Sequence, residues 1–223
     1  MRDGLNCGRR RRFIVRVLSA RGSYPRVAFS SRGALYRASP QLVFTAVPSE
    51  PPNKLGWNEL AWADIGEIRL WGALAFSIPE GKGFFGFYPL EDACRTPTTI
   101  WAEQLDPSIA ERLADRVAAA LAPQAHNLHW HQPDTFEVDA LYSALLNADN
   151  LLLRGVNCYL KSHMLWGHRL FAEEMGINLY ISLEAGLSAL RRRLSAQTRR
   201  DVSYQDTYDH IRATFTCGDA LVE

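Results

Sequence analysis

The sequence predicts an α+β fold in which an N-terminal β-rich unit with one helix is followed by an α-helical bundle. Three observations lead there. Between residues 13 and 100 the apolar stretches are short, rich in β-branched and aromatic residues, and bounded by proline or glycine. One helical pattern, opened by Asp106-Pro107, closes that region. From residue 135 onward apolar residues recur every three or four positions, so the period changes from two to 3.6. The chain accordingly divides into a basic tail (1–12), a β-rich domain ending in a helix (13–123), a linker (124–134) and a helical bundle (135–223).

Each element has its own signal. Phe13 to Leu18, Arg26 to Tyr36 and Leu42 to Val47 read as strands, the last ended by Pro48. Glu50-Pro51-Pro52-Asn53 reads as a loop, because proline lacks an N–H and fixes φ. Ile65 to Ile78 is a long strand candidate; Glu80-Gly81-Lys82-Gly83 turns the chain, and Phe84 to Leu90 returns as a second hairpin arm. Asp106 caps the next helix, Ile109, Leu113, Val117 and Leu121 form its apolar face, and Pro123 stops it.

In the bundle, Phe136, Ala140, Leu141, Ala144, Leu145 and Ala148 form one stripe. Leu151 to Trp166 is a second helix, weakened by Gly155, and Gly167 breaks it. His168 to Met175 is a third piece ended by Gly176. Ile177 to Leu194 has the strongest pattern, with Arg191, Arg192 and Arg193 placed to meet the negative end of the helix dipole. Tyr204 to Phe215 is a further helix. Asp219 reads as a cap, and Ala220 to Glu223 as the first turn of another helix. One turn alone is unstable because nucleation is costly. The expectation is therefore a truncated bundle, or a last turn that packs onto it.

Composition narrows the function classes. Of 223 residues, 47% are apolar and 22% charged, which suits an ordinary globular core and argues against wholesale disorder. The formal charge of +1 gives no global field for nucleic acid or membrane. It is unevenly spread, though: residues 1 to 37 hold ten Arg and one acid, Asp3, while the chain from 125 onward is net acidic. Arg9, Arg10, Arg11 and Arg12 form an arm that would meet phosphate; a solvated tail is the plainer reading. Arg16 and Arg21 interrupt the apolar stretch too early for a signal peptide, whereas an Arg-rich, acid-poor start is compatible with a mitochondrial presequence. Cys7, Cys94, Cys158 and Cys217 form no CxxC pair, which suits reduced thiols and a cytoplasmic protein. No apolar run is long enough to span a membrane.

Several clusters bear on chemistry. His126, His129 and His131 offer three imidazoles within six residues, and on an extended strand the last two share a side, which would suit a metal ion. A polar linker that happens to contain histidines is the simpler account. His163 and His168 are about 140° apart around a helix and share no face. Lys82-Gly83-Phe84-Phe85-Gly86-Phe87 resembles the signature of RNA-recognition motifs with one aromatic out of phase. Phe85 and Phe87 share a face that would stack bases, or else belong to a strand buried on both sides. No nucleophile elbow, phosphate loop or dinucleotide fingerprint occurs, no cofactor is implied, and no Ser or His is tied to an acid. Glu184 stands out as a carboxylate in the most apolar helix. It needs a partner there, and Arg154, Lys161, His163 and Arg169 are the candidates.

The stretch from Leu151 to Leu194, LLLRGVNCYLKSHMLWGHRLFAEEMGINLYISLEAGLSALRRRL, resembles the HEPN superfamily of helical bundles, in particular its Apea-like branch. The residues that carry the resemblance run from Asn178 to Leu187. Many members are RNases, or modules derived from RNases, in defence and stress systems, with an Arg followed after about four to six residues by a His. This sequence has no such pair: His210 precedes Arg212, and Arg200 lies too far from His210. The resemblance carries over one residue, Glu184, as the acid that would face the missing pair. It implies a non-catalytic or truncated binding unit associated with RNA and, if enzymatic, an RNA endonuclease. Two other readings compete: a metal-dependent enzyme built on the 126–131 histidines, and a nucleic-acid-binding protein built on the Arg arm. The uncovered stripe Tyr204, Tyr208, Ile211 and Phe215, together with Leu221 and Val222, predicts a homodimer through the C-terminal helices.

Overall fold

The computed structural model describes residues 11–19, 24–25, 28–38, 42–49, 64–77, 98–102, 112, 130–131, 135–165 and 169–214. The fold is α+β. The strands are β1 (Arg11–Ser19), β2 (Tyr24–Pro25), β3 (Ala28–Ser31), β4 (Ala34–Ala38), β5 (Leu42–Pro48), β6 (Thr98–Ala102) and β7 (Trp130–His131). The helices are α1 (Ile65–Phe76), α2 (Thr135–Leu146), α3 (Asn150–Leu165), α4 (Ala172–Thr198) and α5 (Tyr204–Thr214), with a 3₁₀ turn at Arg169–Phe171 before α4.

Five strands make an antiparallel sheet in the order β3-β4-β5-β1-β6. The segment read as one strand from Arg26 to Tyr36 is a hairpin. Ser31 pairs with Ala34 across Arg32-Gly33, both at positive φ (48° and 86°), the two-residue turn whose twist matches paired strands. Alternation sends Ile14, Phe29, Ala34, Tyr36, Val43 and Val47 to the core shared with the helices. Phe13, Val15, Phe44 and Ala46 point the other way and are also buried, so these strands read as nearly unbroken apolar runs.

One expectation is overturned. Residues 65–76 form a helix, not a strand. Every residue from Gly66 to Ala75 is buried, so the segment has no polar face and its periodicity carries no signal. Its start was nonetheless written in the sequence as Asp64-x-x-Glu67. The Gly66 N–H donates to Asp64 Oδ1 at 2.9 Å and the Asp64 N–H donates to Glu67 Oε2 at 3.0 Å, a capping box. Arg16 of β1 donates to both oxygens of the same Glu67, Nε at 2.8 Å and Nη2 at 3.2 Å, which ties the helix to the sheet through a buried bidentate pair.

The helices then stack outward from the sheet. Tyr36 meets Trp71 edge to face, and Phe29 meets Tyr142 in the same way. Buried Arg69 of α1 donates Nε to the Leu145 carbonyl at 3.0 Å, placing a cation at the negative end of α2. On α2 the buried side chains are Val138, Tyr142 and Leu145, while Ala140 and Ala144 of the expected stripe face solvent; Phe136 and Ala148 aside, the inward face is rotated from the one expected. Two glycines set the crossings. A Cβ at Gly72 would lie 2.6 Å from Val156 Cγ1, and one at Gly155 would lie 2.9 Å from Ala185 Cβ. Gly155 therefore does not weaken α3; it lets α3 and α4 approach closely. Sheet, α1, α2 and α3 contribute to one hydrophobic cluster that spans both sides of the 124–134 segment.

Gly176 does not end a helix either. α4 runs through it without a break for 27 residues, about 40 Å at 1.5 Å per residue, and ends at Arg199 in the left-handed conformation.

Candidate functional site

Glu184 lies midway along α4 and is half-buried. Its partner is none of the four expected cations: Tyr204 of α5 donates its hydroxyl to Glu184 Oε1 at 2.8 Å. Two turns further on, the Arg191 guanidinium sits 4.8 Å from the centre of the Tyr204 ring. The three side chains thus fix the first turn of α5 against α4. The connection between these helices is closed by local bonds. The Val202 N–H donates to Ser195 Oγ at 3.1 Å, and the Asp206 carboxylate accepts from the Ser203 N–H at 2.9 Å and from its hydroxyl at 2.8 Å. These two bonds, with the Arg200 guanidinium 3.3 Å away, hold the Asp206 carboxyl below the usual carboxylate range. Glu184 is therefore placed as a strut between helices, with a phenol as partner. Tyr204 is the residue sequence reading missed, and its place in the first turn of the next helix was the available signal.

The other expected residues are dispersed. Arg11 and Arg12 are exposed but belong to β1, opposite Ala102 and Trp101 of β6, so the tail ends before Arg11. Arg9 and Arg10 lie outside the described residues, as do Phe85 and Phe87. His131 lies in β7, which pairs in parallel with Tyr24–Pro25, while His126 and His129 lie outside the described residues. Among the described residues no group of three His, Cys, Asp or Glu side chains is placed to hold a metal ion. His163 packs on the edge of Tyr159, which stacks on Phe76 at 5.0 Å. Burial raises the Tyr159 phenol above its ordinary range. Cys158 is a buried thiol, also pushed up by burial. No helix among the described residues is long and apolar enough to cross a membrane.

The exposed apolar surface lies elsewhere than expected. On α5, Tyr208 and Ile211 are half-buried, Tyr204 is partly exposed, and Phe215 lies outside the described residues. The large open side chains are on the N-terminal half of α4: Ile177 (58% exposed), Leu179 (39%), Tyr180 (67%) and Leu183 (56%), preceded by Leu170 and Phe171. Water-facing side chains of this size in one run mark an interaction surface. Comparison with known protein families, with characterised proteins and with solved structures returns no match.

Proposed function

We propose that this chain is a HEPN-like helical module that works by binding and association, without catalysis, in an RNA-related defence or stress system. The observation that carries the reading is the apolar run Ile177, Leu179, Tyr180 and Leu183, open to solvent on the longest helix. A soluble chain most often covers such a face with a second copy of itself, so the module is a homodimer joined through its C-terminal helices. Glu184 supports the non-catalytic reading, because its hydrogen bond to Tyr204 gives it a structural task. Exposed Arg11 and Arg12 at the start of β1 supply positive charge for an RNA backbone.

Light scattering over a concentration series, combined with fluorescence anisotropy of a labelled single-stranded RNA, tests both halves. The expected result is a dimer that dissociates on dilution and binds RNA with an affinity that falls steeply with salt. A monomer at every concentration overturns the association reading, and flat salt dependence or no binding overturns the RNA reading.

A further inference from the structure

The open side of α4 has a regular pattern. Ala172, Gly176, Leu179, Leu183, Gly186, Leu190 and Arg193 follow one another at alternating steps of four and three, the spacing of a two-stranded helical seam. None of the seven is buried, so neither neighbour occupies this side. α3 packs on Ala185 and Ser182, and α5 packs on Glu184 and Arg191; the seam lies on the third side. Gly176 and Gly186 have nothing within 4 Å of an added Cβ, unlike Gly72 and Gly155. Glycine in a helix interior is unfavourable, and nothing within the protomer accounts for these two.

Charge along the same helix selects the partner and its direction. Glu173 and Glu174 are exposed in the first turn, and Arg191, Arg192 and Arg193 stand near the other end. A second α4 lying parallel would set acid against acid and three arginines against three. Lying antiparallel, it sets the acids of each copy near the arginines of the other and opposes the helix dipoles favourably.

We infer that two copies of this chain pair through antiparallel α4 helices about a twofold axis level with Ile181. Leu179 faces Leu183 of the second copy, Gly176 faces Gly186, and Ala172 faces Leu190. Leucines fill the centre, and the glycine layers on either side let the two backbones approach. The inference rests on the association reading proposed above and adds the surface, direction and register.

Cross-linking tests it. Leu179→Cys and Leu183→Cys are prepared separately in the full chain and treated with a short bifunctional thiol reagent, alone and mixed, with the parent protein as baseline for its own cysteines. In this register the mixture forms cross-linked dimers several-fold above either variant alone. Light scattering of the parent separates the failures. A monomeric parent removes the association reading together with this one. A dimeric parent in which each variant cross-links only with itself is parallel, and one in which no combination exceeds baseline pairs elsewhere; either overturns the register and leaves association standing. Gly186→Leu gives an independent check, since it is unopposed within the protomer: it must weaken the dimer while leaving the helical circular dichroism unchanged. An unweakened dimer overturns the inference.

Discussion

Removing the charge of Glu67 should destabilise the whole fold, because that carboxylate joins the sheet to α1. Its side chain is 2% exposed and that of Arg16 is 5% exposed. Glu67→Gln keeps an oxygen able to accept from the Asp64 N–H, so the capping box survives, but the guanidinium is left buried beside a neutral amide. Breaking a buried pair in this way costs about 3–5 kcal/mol, against a total stability of about 5–15 kcal/mol for a domain. Arg16→Met should cost a similar amount by stranding the carboxylate. The double variant strands neither charge, so its loss should fall well below the sum of the two, with a coupling of about 2 kcal/mol or more. Urea denaturation of the parent, both single variants and the double, followed by circular dichroism, supplies the cycle. Additive losses, or single-variant losses below about 1 kcal/mol, would refute the claim that this pair locks the helix to the sheet.

Other consequences follow from the same geometry. Gly155→Ala drives a methyl into Ala185 and should cost about 1–3 kcal/mol, whereas Gly186→Ala meets nothing in the protomer and should stabilise it by up to about 1 kcal/mol; thermal melts of dilute protein compare them. The folded Asp206 carboxyl lies below its unfolded value, so its stabilisation is present above the ordinary carboxylate range and is lost as pH falls through the depressed value. Hydrogen exchange at the start of α5 should accelerate there before the core of α1 does. Burial raises the Cys158 thiol, so alkylation at neutral pH should be slow in the folded protein and become fast in denaturant; rapid labelling of native Cys158 would contradict its placement.

The sequence was legible where one face of an element meets water. β1, β4 and β5 alternate between faces, and α3, α4 and α5 begin and end within two residues of their periodic patterns, apart from the N-terminal extension of α4. It misled where both faces are buried. α1 is apolar all round, so only the Asp64-Glu67 capping pair marked it as a helix. Glycine misled in a second way. Gly155 and Gly176 looked like weak points because propensity is local, yet one admits a neighbouring helix and the other lies in an unbroken α4. At the candidate site, Glu184 was recognised as a carboxylate in need of a partner, but a search confined to cations passed over the phenol of Tyr204. The exposed run on α4 was hidden for a related reason. A stripe read from sequence looks the same whether a neighbour covers it or not, and α5 turns out to be more covered than the N-terminal half of α4.

The central claim is that an open apolar face on α4 is an interface between copies of this chain, and one comparison of molar mass tests it directly. Multi-angle light scattering of the parent and of Leu183→Glu is measured from high to low micromolar concentration. Leu183 is 56% exposed, so a glutamate there is free of penalty in the protomer but would be buried against its counterpart in the pair. The parent should move from about twice 25.1 kDa toward 25.1 kDa on dilution, and the variant should remain at 25.1 kDa throughout with an unchanged helical spectrum. A parent that stays at 25.1 kDa throughout, or a dimer indifferent to Leu183→Glu, would contradict the account.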